Sequence, residues 1–195
     1  MLFSLTVWEK YWVGKRQNIL FAPRLLFNKL FILRLAKYVH GSRMLEVGSG
    51  TSICMSLLRE RGYTCVGIDR SKFAVRLAKN VSHDIVRADA AFLPFRDQIF
   101  DMAYTQGLLE HFVDSEMRVI FSEMKRVARR VGFTFPPKMG LFNIAENLAN
   151  LVKIEFIFPE ARYFSRSDIK KLLRGILGIL KIEWFFLLTY FVIAD

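Results

Sequence analysis

The stretch Met44-Leu-Glu-Val-Gly-Ser-Gly-Thr-Ser52 decides the fold, because an apolar run leads there into a glycine-rich turn. The apolar residues predict a strand, and the residues after the turn predict the start of a helix. Gly48 and Gly50 let the backbone approach a ligand closely, and the amide groups near Thr51 can hold a negative group. The stretch therefore predicts a nucleotide-type cofactor, although a glycine pair between a strand and a helix also serves close packing alone.

Beyond this stretch, short apolar runs alternate with helical stretches, which is typical of a parallel sheet with crossover helices. Strands are predicted at Met44 to Val47, Cys65 to Ile68, Ile85 to Arg87, Ile99 to Thr105 and Val131 to Phe135. The aromatic and β-branched stretch from Ile179 to Ala194 predicts an antiparallel strand pair that closes the sheet.

Three helices are predicted around these strands. The first runs from Arg24 to Val39, with apolar residues at helical spacing at Leu26, Leu30, Leu33 and Ala36. The second runs from Ser115 to Arg129, with an apolar stripe at Met117, Ile120, Phe121, Met124 and Val127. The third follows the capping-box pair Ser165 and Asp168 and ends at Gly175.

Composition is that of one folded domain rather than a disordered chain. The 195 residues are 53% hydrophobic and include 19 Phe, which is enough for a sizeable core. The 29 Lys and Arg against 18 Asp and Glu give a net charge of +11, which favours nucleic acid, a phosphate-bearing substrate or an acidic membrane surface as partner. Only Cys54 and Cys65 occur, so we expect a reducing cytoplasm, no disulfide framework and no metal.

A carboxylate at the end of the second predicted strand adds a second element to the site. Asp69 follows Gly50 by nineteen residues, the separation of the acid that accepts hydrogen bonds from ribose hydroxyls in nucleotide sites. The dinucleotide fingerprint requires Gly or Ala where Ile53 stands, so the sequence argues against NAD. Glu46 would repel a diphosphate, and it suits a ligand that carries an ammonium or sulfonium charge.

Three strings together carry a family resemblance: LEVGSGTS, VGID and RADAAFLPFRDQIFDMAYTQGLLEHF. Over residues 43–135 the chain resembles the class I S-adenosylmethionine (SAM)-dependent methyltransferases, within the small-substrate group with a quinone-methyltransferase-like core. The resemblance implies an α/β fold with a Rossmann-like doubly wound seven-stranded sheet, mostly parallel with an antiparallel last strand, and an N-terminal helical extension. It also implies SAM as cofactor and S-adenosylhomocysteine (SAH) as product.

The same resemblance implies which residues bind the cofactor. Asp69 would hold the ribose diol, and Arg70 would lie near the adenine. The residues carried over as cofactor-binding are Glu46, Gly48, Ser49, Gly50, Ser52, Asp69, Arg70, Asp89, Ala90 and Gln106. Glu46 would bind the amino group, Gln106 would border the methionine portion, and Asp89 would meet the exocyclic amine. Ile68, Ala90 and Phe92 can supply apolar walls for the adenine ring.

The sequence departs from the family pattern at two places. Ser52 stands where the family often has a third glycine, and its hydroxyl can bind the cofactor carboxylate. Arg129-Arg130-Val131 replaces the usual Pro-Gly-Gly turn before the fifth strand, which puts the helix-to-strand geometry near Gly132 in question.

Glu110 and His111 are the candidate catalytic residues. Methyl transfer from a sulfonium is an in-line displacement, so alignment of donor and acceptor supplies much of the catalysis. A base helps where the acceptor must lose a proton, and this pair follows the fourth strand at the edge where open α/β sheets bind ligands. The alternative for His111 is that it braces the loop. His40 and His83 are interpreted as a helix-end residue and a strand entrance.

Acceptor selection is expected outside the matched core. We divide a single methyltransferase domain, 1–195, into an N-terminal helical extension (1–41), a cofactor-binding core (42–135), a lid or substrate insertion (136–164) and a sheet-completing part (165–195). Apolar residues at 141, 144, 145, 148 and 152 can form one face of a lid helix. Tyr11, Trp12, Phe142 and Tyr163 are candidate pocket walls, or ordinary core. An apolar lid favours an aromatic or lipid-like acceptor, and we expect an acceptor that is small or is apolar or aromatic.

Three alternatives to a small-molecule enzyme remain open at this point. The basic composition fits an RNA or tRNA methyltransferase, although Thr105-Gln-Gly-Leu108 stands where base-modifying enzymes often carry an Asp-Pro-Pro-Tyr-like tetrapeptide. A non-catalytic cofactor-binding partner subunit is the second. Peripheral contact with an anionic membrane is the third, and it is compatible with catalysis.

Overall fold

The computed structural model describes residues 21–80, 84–140, 161–186 and 188–195, and side chains from residue 25 onward. Seven strands form one sheet in the order β3-β2-β1-β4-β5-β7-β6. The strands are β1 (Arg43–Val47), β2 (Thr64–Asp69), β3 (Ile85–Arg87), β4 (Phe100–Thr105), β5 (Ala128–Phe135), β6 (Ile179–Phe185) and β7 (Thr189–Ala194). The helices are α1 (Phe21–Ala36), α2 (Ile53–Arg59), α3 (Lys72–Lys79), α4 (Asp114–Val127) and α5 (Arg166–Leu173).

The sheet topology confirms the predicted fold class. Strands β1 to β5 pair in parallel, and β7 runs antiparallel to both β5 and β6. β1 lies between β2 and β4, so the strand order reverses there. Ligands of open α/β sheets bind in the crevice at the carboxyl ends of the strands beside such a reversal. The glycine turn after β1 and the loop after β4 both open onto that crevice.

Two apolar layers cover the two faces of the sheet. The predicted stripe of α4 is buried in the first layer, since Met117, Ile120, Phe121, Met124 and Val127 are at most 1% exposed. The second layer lies under α1 and contains Phe31, Ile32 and Leu35. None of the helices in the described ranges is long and apolar enough to cross a membrane.

The predicted stripe of α1 is wrong. Leu26 and Leu33 are 59% and 46% exposed, and the helix instead buries Phe31, Ile32 and Leu35 completely. The reason is aromatic packing, because Phe31 makes an edge contact with Phe191 of β7 at 5.9 Å. An aromatic ring buries more area than a leucine, so the helix turns its aromatic side to the sheet.

The structure between α4 and β5 shows why the chain does not need the Pro-Gly-Gly turn of the family pattern. Ala128 is already extended, at φ −136° and ψ 150°, and it pairs with Phe100 of β4. The chain therefore goes from helix to strand without a turn, so α4 ends two residues before the predicted Arg129 and β5 begins three residues before the predicted Val131. Gly132 is still required, because a Cβ there would lie 2.6 Å from Leu35 Cδ1 on α1.

Asp101 fixes the amino-terminal edge of the sheet. Its Oδ2 accepts hydrogen bonds from the backbone N–H groups of Ser42 (3.0 Å) and Arg43 (2.9 Å). A Cβ on Gly41 would lie 2.3 Å from this carboxylate, so only glycine fits there. Burial alone raises the pKa of Asp101, but these hydrogen bonds and the guanidinium groups of Arg43 and Arg129 outweigh it, and the net shift is downward.

We expect Asp101→Asn to lower the free energy of unfolding by about 1–3 kcal/mol at pH 7, since the neutral amide keeps one acceptor oxygen but loses the charge that strengthens the hydrogen bonds from Ser42 and Arg43. Because the folded-state pKa is depressed, the difference from wild type should be complete above about pH 4 and shrink as the pH falls further. Urea denaturation measures it. Asp97→Asn is the control, since Asp97 is 74% exposed and pairs with Arg126 at the surface. Equal stabilities of wild type and Asp101→Asn at pH 7 would contradict this role.

Candidate active site

The glycine turn after β1 is built from left-handed residues. Gly48, Gly50 and Ser52 have φ values of 75°, 51° and 60°. The N–H groups of Gly48 and Ser49 both donate to the carbonyl of Ile68, at 2.9 Å, which ties the turn to β2. Ser52 therefore adopts the conformation that glycine supplies most readily, which explains why a glycine is common at this position of the family.

Close packing accounts for part of the need for glycine at position 48. A Cβ on Gly48 would lie 2.9 Å from Cδ2 of Leu108, in the loop after β4. The Leu108 side chain thus covers Gly48, a residue at which the sequence predicts a close approach of the backbone to a ligand. The packing interpretation of the glycine pair therefore holds at Gly48, together with its left-handed backbone.

Asp69 ends β2 with its carboxylate turned toward the glycine turn. Oδ2 accepts from the Gly50 N–H at 2.9 Å, and Oδ1 accepts from the Ser71 N–H at 2.8 Å. Burial raises the pKa of Asp69 above its ordinary value, and these backbone bonds oppose that shift. A carboxylate oxygen has two acceptor sites, so each oxygen keeps one for a ligand hydroxyl. The arrangement fits a vicinal diol.

A cleft of about 260 Å³ lies beside Asp69, lined by Arg70, Arg87, Ala88 and Asp89. Asp89 Oδ1 accepts from the Ala91 N–H at 3.0 Å, and Oδ2 lies 3.7 Å from Nε of Arg70. The structure thus brings together Arg70 and Asp89, the two residues predicted to lie near adenine. Sequence reasoning missed Arg87, although its register opposite Asp69 follows from pairing β2 with β3.

The predicted apolar walls of the adenine slot lie elsewhere. Ile68 is 1% exposed and Ala90 is 8% exposed, and both belong to the core cluster. Phe92 is 77% exposed. None of the three lines the 260 Å³ cleft.

Buried hydroxyl groups gather at the carboxyl ends of β1 and β4. Ser49 Oγ, Ser52 Oγ and Thr105 Oγ1 are buried, and they have no hydrogen-bond partner within the ranges that the structure describes. Buried polar atoms in native proteins are normally paired, so such a group calls for a ligand or water. Thr105 was not predicted; its signal is its position as the last residue of β4, before Gln106.

Charged and amide groups complete this part of the site. Glu46 on β1 is 5% exposed and lies in register with Tyr104 of β4. Complete burial, with the Glu46 charge, keeps the pKa of Tyr104 well above 10, so the phenol stays neutral. Gln106 Oε1 accepts from the thiol of Cys54 at 3.4 Å. A carboxylate beside hydroxyl groups suits the ammonium and carboxylate of an amino-acid moiety, so these residues fit the methionine part of SAM.

Glu110 and His111 lie in a single 3₁₀ turn, Leu109–His111, after β4 (hereafter the 109–111 turn). Burial raises the pKa of Glu110 to about 7, and its Oε2 has no hydrogen-bond partner among the described residues. Burial lowers the pKa of His111 to about 4, and this residue is 3% exposed. At neutral pH the imidazole is therefore neutral, while Glu110 is close to half ionised. The burial of His111 favours the bracing role.

Some of the residues predicted for the pocket and the lid lie outside the part of the chain that the structure describes. The lid positions 141–152, with Phe142, and also Tyr11, Trp12 and His83, lie outside the described residues. Tyr163 is half-buried and His40 is exposed. Across the described ranges, no group of three or more His, Cys, Asp or Glu could hold a metal ion.

Comparison with known proteins agrees with this geometry. Residues 45–135 match the family model described as "Methyltransferase domain". Demethylmenaquinone methyltransferase of Corynebacterium urealyticum is 32% identical over 92 residues, which cover 47% of this chain and 39% of that protein. The Xenopus tropicalis tRNA (carboxymethyluridine(34)-5-O)-methyltransferase alkbh8 is 28% identical over 99 residues, 50% of this chain and 15% of that protein. The chain thus spans less than half the length of the curated relatives it matches.

A solved structure extends the similarity of fold to nearly the whole chain. Magnesium protoporphyrin IX methyltransferase from Synechocystis, crystallised with bound SAH, has a TM-score of 0.68 at 18% identity over 96% of this chain and 91% of that one. The fold, the glycine turn after β1 and the family match are together typical of a methyltransferase domain that binds a nucleotide-type cofactor. The match over residues 45–135 supports the resemblance to the class I SAM-dependent methyltransferases.

We expect Asp69→Ala to weaken SAM and SAH binding by at least about 1.5 kcal/mol, more than tenfold, because the ribose diol loses its acceptor. Isothermal titration calorimetry measures both ligands. Asp84→Ala is the matched control, since Asp84 is 61% exposed at the entrance to β3. Asp69→Asn keeps one acceptor oxygen and should lie between the wild type and Asp69→Ala. Equal affinities for wild type and Asp69→Ala would remove Asp69 from the site.

Proposed function

We propose that this protein transfers the methyl group of SAM to an oxygen or nitrogen of a small apolar or aromatic acceptor, and that Glu110 takes the proton which the acceptor loses. The observation that supports this proposal most strongly is the buried carboxyl group of Glu110 at the ligand-binding edge of the sheet. Its Oε2 has no hydrogen-bond partner among the described residues, and its pKa of about 7 is suited to proton transfer near neutrality.

The residues on either side of the strand reversal would hold the cofactor. Asp69 would bind the ribose diol, and Arg70 and Asp89 would bracket the adenine in the cleft. Glu46 would face the ammonium group, while the buried hydroxyls of Ser52 and Thr105 would bind the carboxylate. Bound SAM supplies an electrophilic methyl carbon on a sulfonium, whose sulfur keeps the electron pair of the broken C–S bond as SAH forms.

The protein's own contribution is alignment and removal of one proton. A hydroxyl or protonated amine acceptor becomes a better nucleophile as its proton passes to the Glu110 carboxylate. Product release with return of that proton to water restores the carboxylate. Leu108 and Leu109 precede Glu110 in the chain and Phe112 follows it by two residues, and Leu109 and Phe112 are at most 8% exposed. Such apolar surroundings exclude water and favour an apolar acceptor.

We expect the rate of methyl transfer to rise with pH through about 7 and then level, since the base is the ionised form of Glu110. Glu110→Gln should lower the rate by about 10²- to 10⁴-fold and abolish this step. SAH formation from SAM with a panel of phenols, quinols and aromatic amines is the assay. Glu60→Gln, an exposed residue at the end of α2, is the control. Undiminished turnover in Glu110→Gln, with the same pH profile, would refute the assignment.

A stability measurement tests the same residue without any acceptor. Since the folded-state pKa lies above the ordinary 4.5, the folded protein should lose stability as the pH rises from about 4.5 to 7. Glu110→Gln removes that loss, so it should be more stable than wild type at pH 8 and no more stable at pH 4.

An RNA acceptor is the second candidate, favoured by the net charge of +11 and by the tRNA-modifying relative. We expect at most weak binding of total tRNA in gel shifts at low salt, lost at high salt, as for unspecific phosphate contacts. Tight binding together with methyl incorporation into the RNA would transfer the assignment to this class. A basic protein such as lysozyme, at the same concentration, is the control for unspecific binding.

The cellular setting is part of the proposal. Both cysteines are free and buried, and burial raises the pKa of Cys65 to about 12. A reducing cytoplasm stays a prediction from the composition. Contact with an anionic membrane and work as a partner subunit stay predictions, tested by liposome flotation and by turnover of the isolated chain.

A further inference from the structure

The 109–111 turn that carries Glu110 is weakly held by its own backbone. Its hydrogen bonds are His111 N–H to Leu108 O at 3.3 Å and Phe112 N–H to Leu109 O at 3.1 Å, longer than the usual 2.9 Å. α4 follows at once, and its N-cap, Val113, has no side-chain oxygen to bind the first N–H groups. An element this short needs support from outside if Glu110 is to stay in place.

Arg162, near the C-terminal end of the insertion (136–164), supplies that support. Its backbone N–H donates to the carbonyl of Glu110 at 3.0 Å. Its guanidinium donates to the carbonyl of Phe112 at 2.7 Å and to Oδ1 of Asp114 at 2.6 Å. One residue thus binds the catalytic turn, the residue after it and the first residue of α4.

The sheet holds Arg162 in turn. The guanidinium lies over the Phe164 ring at 5.3 Å, and that ring packs on Phe135, the last residue of β5, at 4.3 Å. The Phe164 N–H donates to Pro136 O at 2.9 Å, and the Lys138 N–H donates to Phe164 O at 3.0 Å. Residues 136–138 and 161–164, the neck of the insertion, are therefore fixed to the end of β5.

We propose that Arg162 is a positioning residue, which ties the 109–111 turn to the neck so that the Glu110 carboxyl stays buried at the acceptor site. The inference rests on the proposed role of Glu110. Arg162 carries no chemistry itself. It acts through three hydrogen bonds, two of which its side chain makes. These bonds connect the neck of the insertion to the turn that carries Glu110.

The test is a carboxyl-carbon NMR titration of glutamate-labelled protein, with Glu110→Gln to assign the signal. Loss of positioning hydrates Glu110 and lowers its pKa, whereas mere loss of a positive charge raises it. In Arg162→Ala we therefore expect the pKa of Glu110 to fall by about one unit or more, toward its ordinary value. Arg162→Lys keeps the charge but has a single donor nitrogen in place of the two that bind Phe112 and Asp114, and it should restore part of the shift.

Arg118→Ala is the matched control, because Arg118 also donates to two backbone carbonyls, of Leu172 and Arg174, away from the turn. It should leave the pKa of Glu110 unchanged, and thermal unfolding shows whether both alanine variants are folded. If Arg162→Ala does not fold, the titration of Arg162→Lys decides. A pKa of Glu110 that is unchanged or raised would overturn the proposal for Arg162. Undiminished turnover in Glu110→Gln would instead overturn the role of Glu110, so the two failures are distinguishable.

Discussion

The hydrogen bond from the Gly50 N–H to the carboxylate of Asp69 is the interaction on which the site depends. It joins the glycine turn after β1 to the end of β2, so the residues expected to bind the two halves of the cofactor are held at a fixed separation. The same carboxylate accepts from Ser71, the N-cap of α3. Since the parallel strands end at a common edge, this one side chain sets the separation between the turn, the cleft and the next helix.

The two sides of the crevice differ in the charge and polarity of their residues. On one side, Asp69 and Asp89 stand with Arg70 around a polar cleft. On the other side, the loop after β4 places a carboxyl group among apolar side chains, where burial alone shifts the pKa of Glu110 upward. Burial raises the pKa of both Asp69 and Glu110, and at Asp69 the N–H groups of Gly50 and Ser71 oppose that shift.

The sequence predicted the sheet well, because strand β3 begins and ends as expected and the other parallel strands differ by at most three residues at each boundary. Gly48, Gly50 and Asp69 lie together as predicted, since their positions follow from the parallel pairing. The buried face of α1 was wrong, because spacing alone does not tell whether Leu33 or Phe31 packs better. Thr105 and Arg162 were missed, since their roles depend on contacts between segments distant in the sequence.

The edge of the sheet formed by β6 affects how copies of the chain can associate. β6 is the last strand, and its register with β7 shifts between Ile179 and Lys181. Lys181 is exposed, and Glu183 is engaged by Arg34 of α1 and by Lys181. An irregular border with a lysine is a poor template for a further strand, so neighbouring molecules gain little by adding to it. At this edge, the sheet is thereby protected against pairing between copies of the chain.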